Sequence, residues 1–322
     1  MHINRGLLFW GVALITAGVV ALAASQGWID KSVLSRAWQL WPVVLIAIGL
    51  SIVLARTPFA WLGGLAAGVI VGLAGGALIA GVPVDGIGSC SGTPGSSETA
   101  NGSFTGQQAS VTLELTCGNL SMSMVDGATW RADTAVSSGD QPSLGGGANS
   151  LEIRSHDNGL PFGHDREAWT VQLGREVAYD LSATLNAADA HLDARGGTFG
   201  SINLTTNAGD TDLLLDGAQV ADLHIQLNAG SANVVADGDS DVAGSMQSNA
   251  GAMNLCAASG AGLQITVNSS VAFSHNLAER GLQQQGNDTW VTPSFASAAH
   301  KIVLEVEGNA ASFTLNPEDG CS

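Results

Sequence analysis

"LNAADAHL" (residues 185–192), "TNAGDTDLL" (206–214), "LNAGSANVV" (227–235) and "SNAGAMNLC" (248–256) are four versions of one phrase. Asn186, Asn207, Asn228 and Asn249 recur every 21 residues, and Asn268 follows after 19. A fixed period of this length is the signature of a solenoid, in which one supersecondary unit stacks on the next. Within each unit the apolar residues alternate. Leu181-Ala183-Leu185, Ile202-Leu204-Thr206, Leu223-Ile225-Leu227 and Leu263-Ile265-Val267 stand five, three and one positions before an Asn. Leu192, Leu213, Val234 and Leu255 stand six positions after the first four. Period 2 within a unit means strands with one buried face, and the 21-residue period means stacked coils.

A coil of this length holds two or three short strands and their corners, and the Asn-Ala-Gly phrase marks a corner. Asn and Gly tolerate positive φ there. Stacked Asn side chains also hydrogen-bond from coil to coil, as in other stacked-strand assemblies. Asn186, Asn207, Asn228, Asn249 and Asn268 are therefore expected to form a structural ladder. "KIVLEVEGNAASFTL" (301–315) adds Asn309 in the same register. "VTLELTCGNLSMSMVDG" (111–127) reads as a first coil with Cys117 near its corner. Residues 127–175 and 276–300 fit the pattern poorly, and Trp130, Trp169 and Trp290 in or beside them are candidate plugs for the core ends. The expected fold is a right-handed, single-stranded parallel β-helix over residues 111–322, preceded by transmembrane α-helices.

Those helices lie in residues 1–85. Three uncharged apolar stretches, 6–25, 38–55 and 59–82, are each long enough to cross a bilayer core of ~30 Å. A cleaved signal peptide is the alternative for the first, but two more spans follow closely, which favours a compact bundle. In the third, Gly64, Gly68, Gly72 and Gly76 recur every four residues and line one helix face with bare backbone, a surface for close helix packing. Arg5 and Arg56 face one side of the membrane and Lys31 and Arg36 the other, so the positive-inside count does not choose an orientation. The cysteines do. All four (Cys90, Cys117, Cys256, Cys321) follow the spans, and an even count there fits disulfides in an oxidising compartment. The expected location is the bacterial cytoplasmic membrane, multi-pass, with the C-terminal domain extracytoplasmic. Four cysteines permit three pairings, of which Cys90–Cys117 with Cys256–Cys321 is the most local. Residues 86–110, rich in Gly, Ser, Thr and Pro, read as a flexible linker.

Chemistry is scarce. Residues 86–322 hold seven basic and 26 acidic residues, a balance that excludes nucleic acid and anionic headgroups as partners of this part. Some β-helices are carbohydrate-active enzymes that cluster carboxylates on adjacent coils. Asp189, Asp210 and Asp212 are the candidates here, but Ser231 interrupts the row, so solvated corner carboxylates are the simpler reading. His156, His164, His191, His224, His275 and His300 share no metal-ligand spacing, and no nucleophile elbow or phosphate loop is present. No catalytic, cofactor or metal residue is therefore assigned.

Two resemblances extend the reading. "RGLLFWGVALITAGVVALAASQGWID" (5–30) followed by "LWPVVLIAIGLSIVLAR" (40–56) resembles the membrane region of LiaI- and LiaF-type bacterial envelope-stress proteins, although three spans depart from the usual even number. The "NAG[DS]" corners and alternating strands over about residues 110–316 resemble the "putative adhesin" and toast-rack β-solenoid domains. Together they imply a non-enzymatic cell-envelope membrane protein, a sensor, scaffold or regulator of envelope state. A surface adhesin binding a polymer or protein on its solenoid flank is the alternative, and a carbohydrate-active enzyme is a third. The partners implied are membrane lipid, a membrane sensor kinase or other envelope protein, and a second copy of the chain.

Overall fold

The computed structural model describes residues 15–16, 90–137, 141–156, 164–258, 260–269, 272–318 and 320. Ile15 and Thr16 are helical. The rest of the three predicted spans, with Gly64, Gly68, Gly72 and Gly76, lies outside the described residues, among which no helix is long and apolar enough to cross a membrane. The chain divides into two units, Met1–Ser89 with Pro161–Gly163, and Cys90–Leu160 with His164–Ser322. The second is all β among its described residues.

Its strands are β1 (Cys90–Ser91), β2 (Ser96–Ser103), β3 (Gln108–Val125), β4 (Thr129–Val136), β5 (Ser143–Gly147), β6 (Ser150–Arg154), β7 (His164–Asp165) and β8 (Glu167–Gly174). They continue with β9 (Ala178–Asp193), β10 (Thr198–Leu214), β11 (Gln219–Ala236), β12 (Asp241–Ala257), β13 (Gly262–Ser269), β14 (Ser274–His275), β15 (Gln283–Gln285), β16 (Thr289–Val291) and β17 (Lys301–Leu315).

Six long strands form the stack, in the spatial order β17-β12-β11-β10-β9-β3, all parallel. The register between β10 and β11 is the sequence period itself: Leu204 faces Ile225 and Leu213 faces Val234. Each coil is one long strand that bends at the Asn-Ala-Gly corner, rather than the two or three short strands expected. The ladder pairs on both sides of the corner keep the same 21-residue offset, Leu227 on Thr206 and Gly230 on Gly209, so backbone pairing resumes in the same register past the bend. The inward residues Leu181, Ile202, Leu223, Leu192, Leu213 and Val234 are buried in one continuous core. No coil covers both rims of its own apolar face; its neighbours do.

The ends of the stack are closed by antiparallel strands. At one end β8 pairs with β3 in parallel, β4 with β8 and β2 with β4, both antiparallel. Phe104 and Phe199 flank Tyr179, with ring centroids at 5.7 and 6.1 Å, and the Tyr179 hydroxyl donates to the Gly174 carbonyl at 2.8 Å. Burial pushes that phenol up to about 12. Trp169 is buried in this region, while Trp130 and Trp290 are partly buried against the core.

Two expectations are corrected. The predicted linker 86–110 includes strands β1 and β2, and the β unit begins at Cys90 rather than at residue 111. Strand β2 exposes nearly every side chain, so its polar composition reads as a tether although its backbone is paired from Ser96 to Ser103. The second correction concerns order. After β12 the chain does not lay down the next coil. It forms β13 first, and β17 then returns to insert between β12 and β13.

That insertion is pinned at its start. Asp241, the first residue of β12, accepts from His300 Nδ1 at 2.8 Å and from the Lys301 backbone N–H at 3.0 Å. The hydrogen bond to Asp241, reinforced by the charges of Asp241, Asp239 and Asp237, raises the His300 pKa above 6.5. The His300 bond and the Lys301 N–H in turn lower that of Asp241 below 3.8. A histidine whose folded pKa is raised contributes stability that is full below its unfolded pKa and is lost as pH rises through the folded one. The lowered Asp241 contribution is present above its unfolded pKa and lost in acid. We expect His300→Gln to lower the melting temperature more at about pH 5.5 than at about pH 8.5. An equal loss at both values would mean that the charged pair does not anchor β17.

Candidate functional site

The residues that repeat are the ones that stack. Asn207 Nδ2 donates to Asn186 Oδ1 at 2.7 Å, Asn228 to Asn207 at 2.6 Å and Asn249 to Asn228 at 2.6 Å. Asn309 then donates to Asn249 at 2.9 Å. Five carboxamides thus run in one direction along the corner, each interior member both donating and accepting. Asn268 is not among them. It lies on β13 and donates to Glu305 Oε1, because β13 pairs with β17 so that Asn268 faces Glu307, two residues short of Asn309.

Glycine follows because the corner leaves no room for a side chain. Gly230 has φ 120°, and a Cβ there would stand 1.9 Å from the Gly209 carbonyl oxygen. Gly209 has φ 138°, with the Ala188 oxygen at 2.1 Å. Left-handed φ and backbone contact at van der Waals limits both select glycine. Inside the second corner the buried hydroxyls of Thr206 and Thr211 satisfy each other at 2.8 Å.

The acidic candidates belong to the same corner. Asp189 Oδ1 accepts from the backbone N–H of Asp210 at 3.0 Å. Asp210 Oδ1 accepts from the Ser231 N–H at 3.1 Å and from its hydroxyl at 2.6 Å. These carboxylates are exposed, yet they are tied to the following coil rather than merely solvated. Five positions after each ladder Asn runs a second row that the sequence reading missed. Asn233 donates to Asp212 at 2.7 Å and Asn254 to Asn233 at 2.8 Å, with His191 Nδ1 3.9 Å from Asp212. The signal was present, since Asp212, Asn233 and Asn254 keep the same 21-residue spacing. Among the described residues, no group of three or more His, Cys, Asp or Glu could hold a metal ion.

The first coil departs from the rest. Leu115 faces Leu185 and Cys117 faces Ala187, so Thr116 occupies the ladder position. Its backbone N–H donates to Ser155 Oγ at 2.9 Å. Cys117, 1% exposed, is disulfide-bonded to Cys90. Beside this corner Glu167, 6% exposed, accepts from Trp169 Nε1 at 2.8 Å. Burial raises its pKa, against the hydrogen bonds of Ser155 and Trp169. Cys256 is likewise disulfide-bonded, and Cys321 lies outside the described residues.

Fold and rows define a stacked parallel-β domain whose conspicuous residues hold coil to coil. Residues 96–255 match the family described as the N-terminal domain of toast_rack, DUF2154, and residues 8–53 match the LiaI-LiaF-like transmembrane region. Both agree with the resemblances read from the sequence, and the second makes this a membrane-associated protein. No curated protein matches the chain in sequence. Two solved structures are similar. A "putative cell adhesion protein" from Clostridium sporogenes is 14% identical with TM-score 0.45, covering 69% of this chain and 99% of that one. A "putative adhesin" from Bacteroides fragilis is 12% identical with TM-score 0.26, covering 68% and 97%.

Asn228 is half-buried and holds two ladder bonds. We expect Asn228→Ala to cost about 1–2 kcal/mol in denaturant melting. Asp212→Asn keeps the acceptor oxygen and should stay within about 0.5 kcal/mol. The reverse order, together with a calcium-raised midpoint in the wild type alone, would show that the acidic row binds metal.

Proposed function

We propose that this chain is a multi-pass membrane protein of a bacterial envelope, with three transmembrane helices and a β domain on the extracytoplasmic side. We read the β domain as a right-handed β-helix-like solenoid that serves as a non-enzymatic sensor, scaffold or regulator of envelope state. The observation that carries this reading is the succession, in one chain, of a LiaI-LiaF-like transmembrane region and a toast_rack N-terminal domain. Disulfides at Cys90–Cys117 and at Cys256 support an oxidising compartment. The chemistry of the corner supports a non-catalytic role. The Asp189, Asp210 and Asp212 carboxylates accept hydrogen bonds from the next coil, whereas a general acid or base needs a carboxyl group aimed at a substrate. Membrane lipid around the spans, and a sensor kinase or other envelope protein packed on them, are the partners this reading assigns; a second copy of the chain is the remaining one.

Orientation is the part most open to direct test. Protease added to intact spheroplasts should release a fragment that begins ahead of Cys90, because residues 96–103 are paired into the sheet. Protection of the whole β domain until the membrane is lysed would place it in the cytoplasm and overturn the reading.

A further inference from the structure

The Cys90–Cys117 disulfide joins two parts of very different stability. Cys117 lies on β3, which is paired with β9 from Gln108 to Ser123 and with β8 and β6 on its other side. Cys90 is the first residue of the β unit. It belongs to β1, a strand of two residues whose pairing with β7 consists of Cys90 on His164 and Ser91 on Asp165. The secure pairing of the entering chain starts later, where the Gly95 N–H donates to the Val136 carbonyl at 2.8 Å and β2 follows on β4. Residues 90–94 are therefore held to the first corner by a two-residue bridge, the disulfide and a 3.2 Å contact of Cys90 Sγ with the Ala187 carbonyl oxygen. A pairing that short contributes little by itself.

The two cysteines also differ in exposure. Cys117 is buried, whereas Cys90 is partly exposed. Thiol–disulfide exchange requires a thiolate to reach a sulfur, so attack falls on Cys90.

We propose that Cys90–Cys117 is a redox latch: an extracytoplasmic dithiol reductant opens it, frees residues 90–94 from the first corner and leaves the stack folded. One thiolate of the reductant bonds to Cys90 Sγ. The S–S bond breaks with its electron pair going to Cys117 Sγ, which takes a proton from water. The second thiolate of the reductant displaces Cys90 Sγ from the mixed disulfide, and Cys90 is protonated in turn. Two electrons and two protons pass to the protein, and the dithiol ends as a disulfide. The stack survives because its register is fixed by backbone pairing, which reduction of a disulfide leaves in place, and by the carboxamide ladder, which includes no cysteine. The released segment is the N-terminal edge of the β unit, so opening frees that edge and leaves the β unit folded. The compartment of the reductant rests on the proposed orientation; the latch itself does not.

The test uses the full chain in detergent micelles and hydrogen exchange read peptide by peptide. With dithiothreitol, peptides covering residues 90–94 should exchange faster by on the order of tenfold or more, while β9, β10 and β11 keep their protection. Cys90→Ser, which leaves Cys117 buried in place and the bond at Cys256 intact, should show the same pattern without reductant. Unchanged exchange at 90–94 in both would overturn the latch, since the bridge would then hold unaided. Loss of protection through β3 and β9–β11 would overturn it in the other direction, making the disulfide a staple of the whole domain. Because the measurement is made on solubilised protein, a wrong orientation leaves its outcome unaffected.

Discussion

The structure depends on parallel register at the corners. A parallel stack has no hairpin turns to fix which residue meets which, and a one-residue slip would turn every inward side chain outward. Here two features of the corner set the register. The carboxamides bond only when Asn stands directly above Asn. The glycine chain of Gly209, Gly230 and Gly251 lets each corner backbone sit against the carbonyl of the coil before it, so a side chain displaced into that place would collide. The amide bonds are modest individually, but they repeat across β9, β10, β11, β12 and β17, and a slip would break all of them at once.

The same constraint explains the ends. A stack of identical coils presents open edges that invite further pairing. This domain ends the pattern by changing chemistry. On one side Thr116 replaces the ladder Asn, a disulfide takes over the corner, and antiparallel strands β4 and β2 follow. On the other, β13 covers β17 and is itself followed by antiparallel β16 and β15. The outermost strands, β2 with sequence SSETANGS and β15 with QQQ, expose polar side chains. The long excursion between β13 and β17 is held closed where His300 and Lys301 meet Asp241.

The sequence made the stack legible because period 2 and period 21 are both visible without any knowledge of neighbours. The ladder members Asn186, Asn207, Asn228 and Asn249 could be named from spacing alone, and Asn309 from the alternating residues around it. Asn268 could not be excluded, for a physical reason. Its spacing of 19 differs from 21 by two residues, and a two-residue slip preserves which side chains face inward. Leu263, Ile265 and Val267 meet Ile302, Leu304 and Val306 in the core, so alternation is intact while the corner is out of step. Strand β2 was hidden by the opposite problem. As an edge strand held by its backbone, it has no apolar alternation to read. The second row, Asp212-Asn233-Asn254, was readable but was treated as isolated carboxylates, because an acid in a polar run looks solvated until its neighbour's amide is placed beside it.

Insertion of β17 between β12 and β13 is the most distinctive consequence of these rules, and cross-linking tests it directly. Adjacent parallel strands stand about 4.8 Å apart, within the Cα separation of roughly 4.4–6.8 Å that a disulfide spans. Cysteines placed at Asn249 and Asn309 should oxidise to a cross-link in the folded full chain, whereas cysteines at Asn249 and Asn268 should not. A cross-link in the second pair and none in the first would mean that the coils stack in sequence order, contradicting the inserted strand and the five-member ladder together.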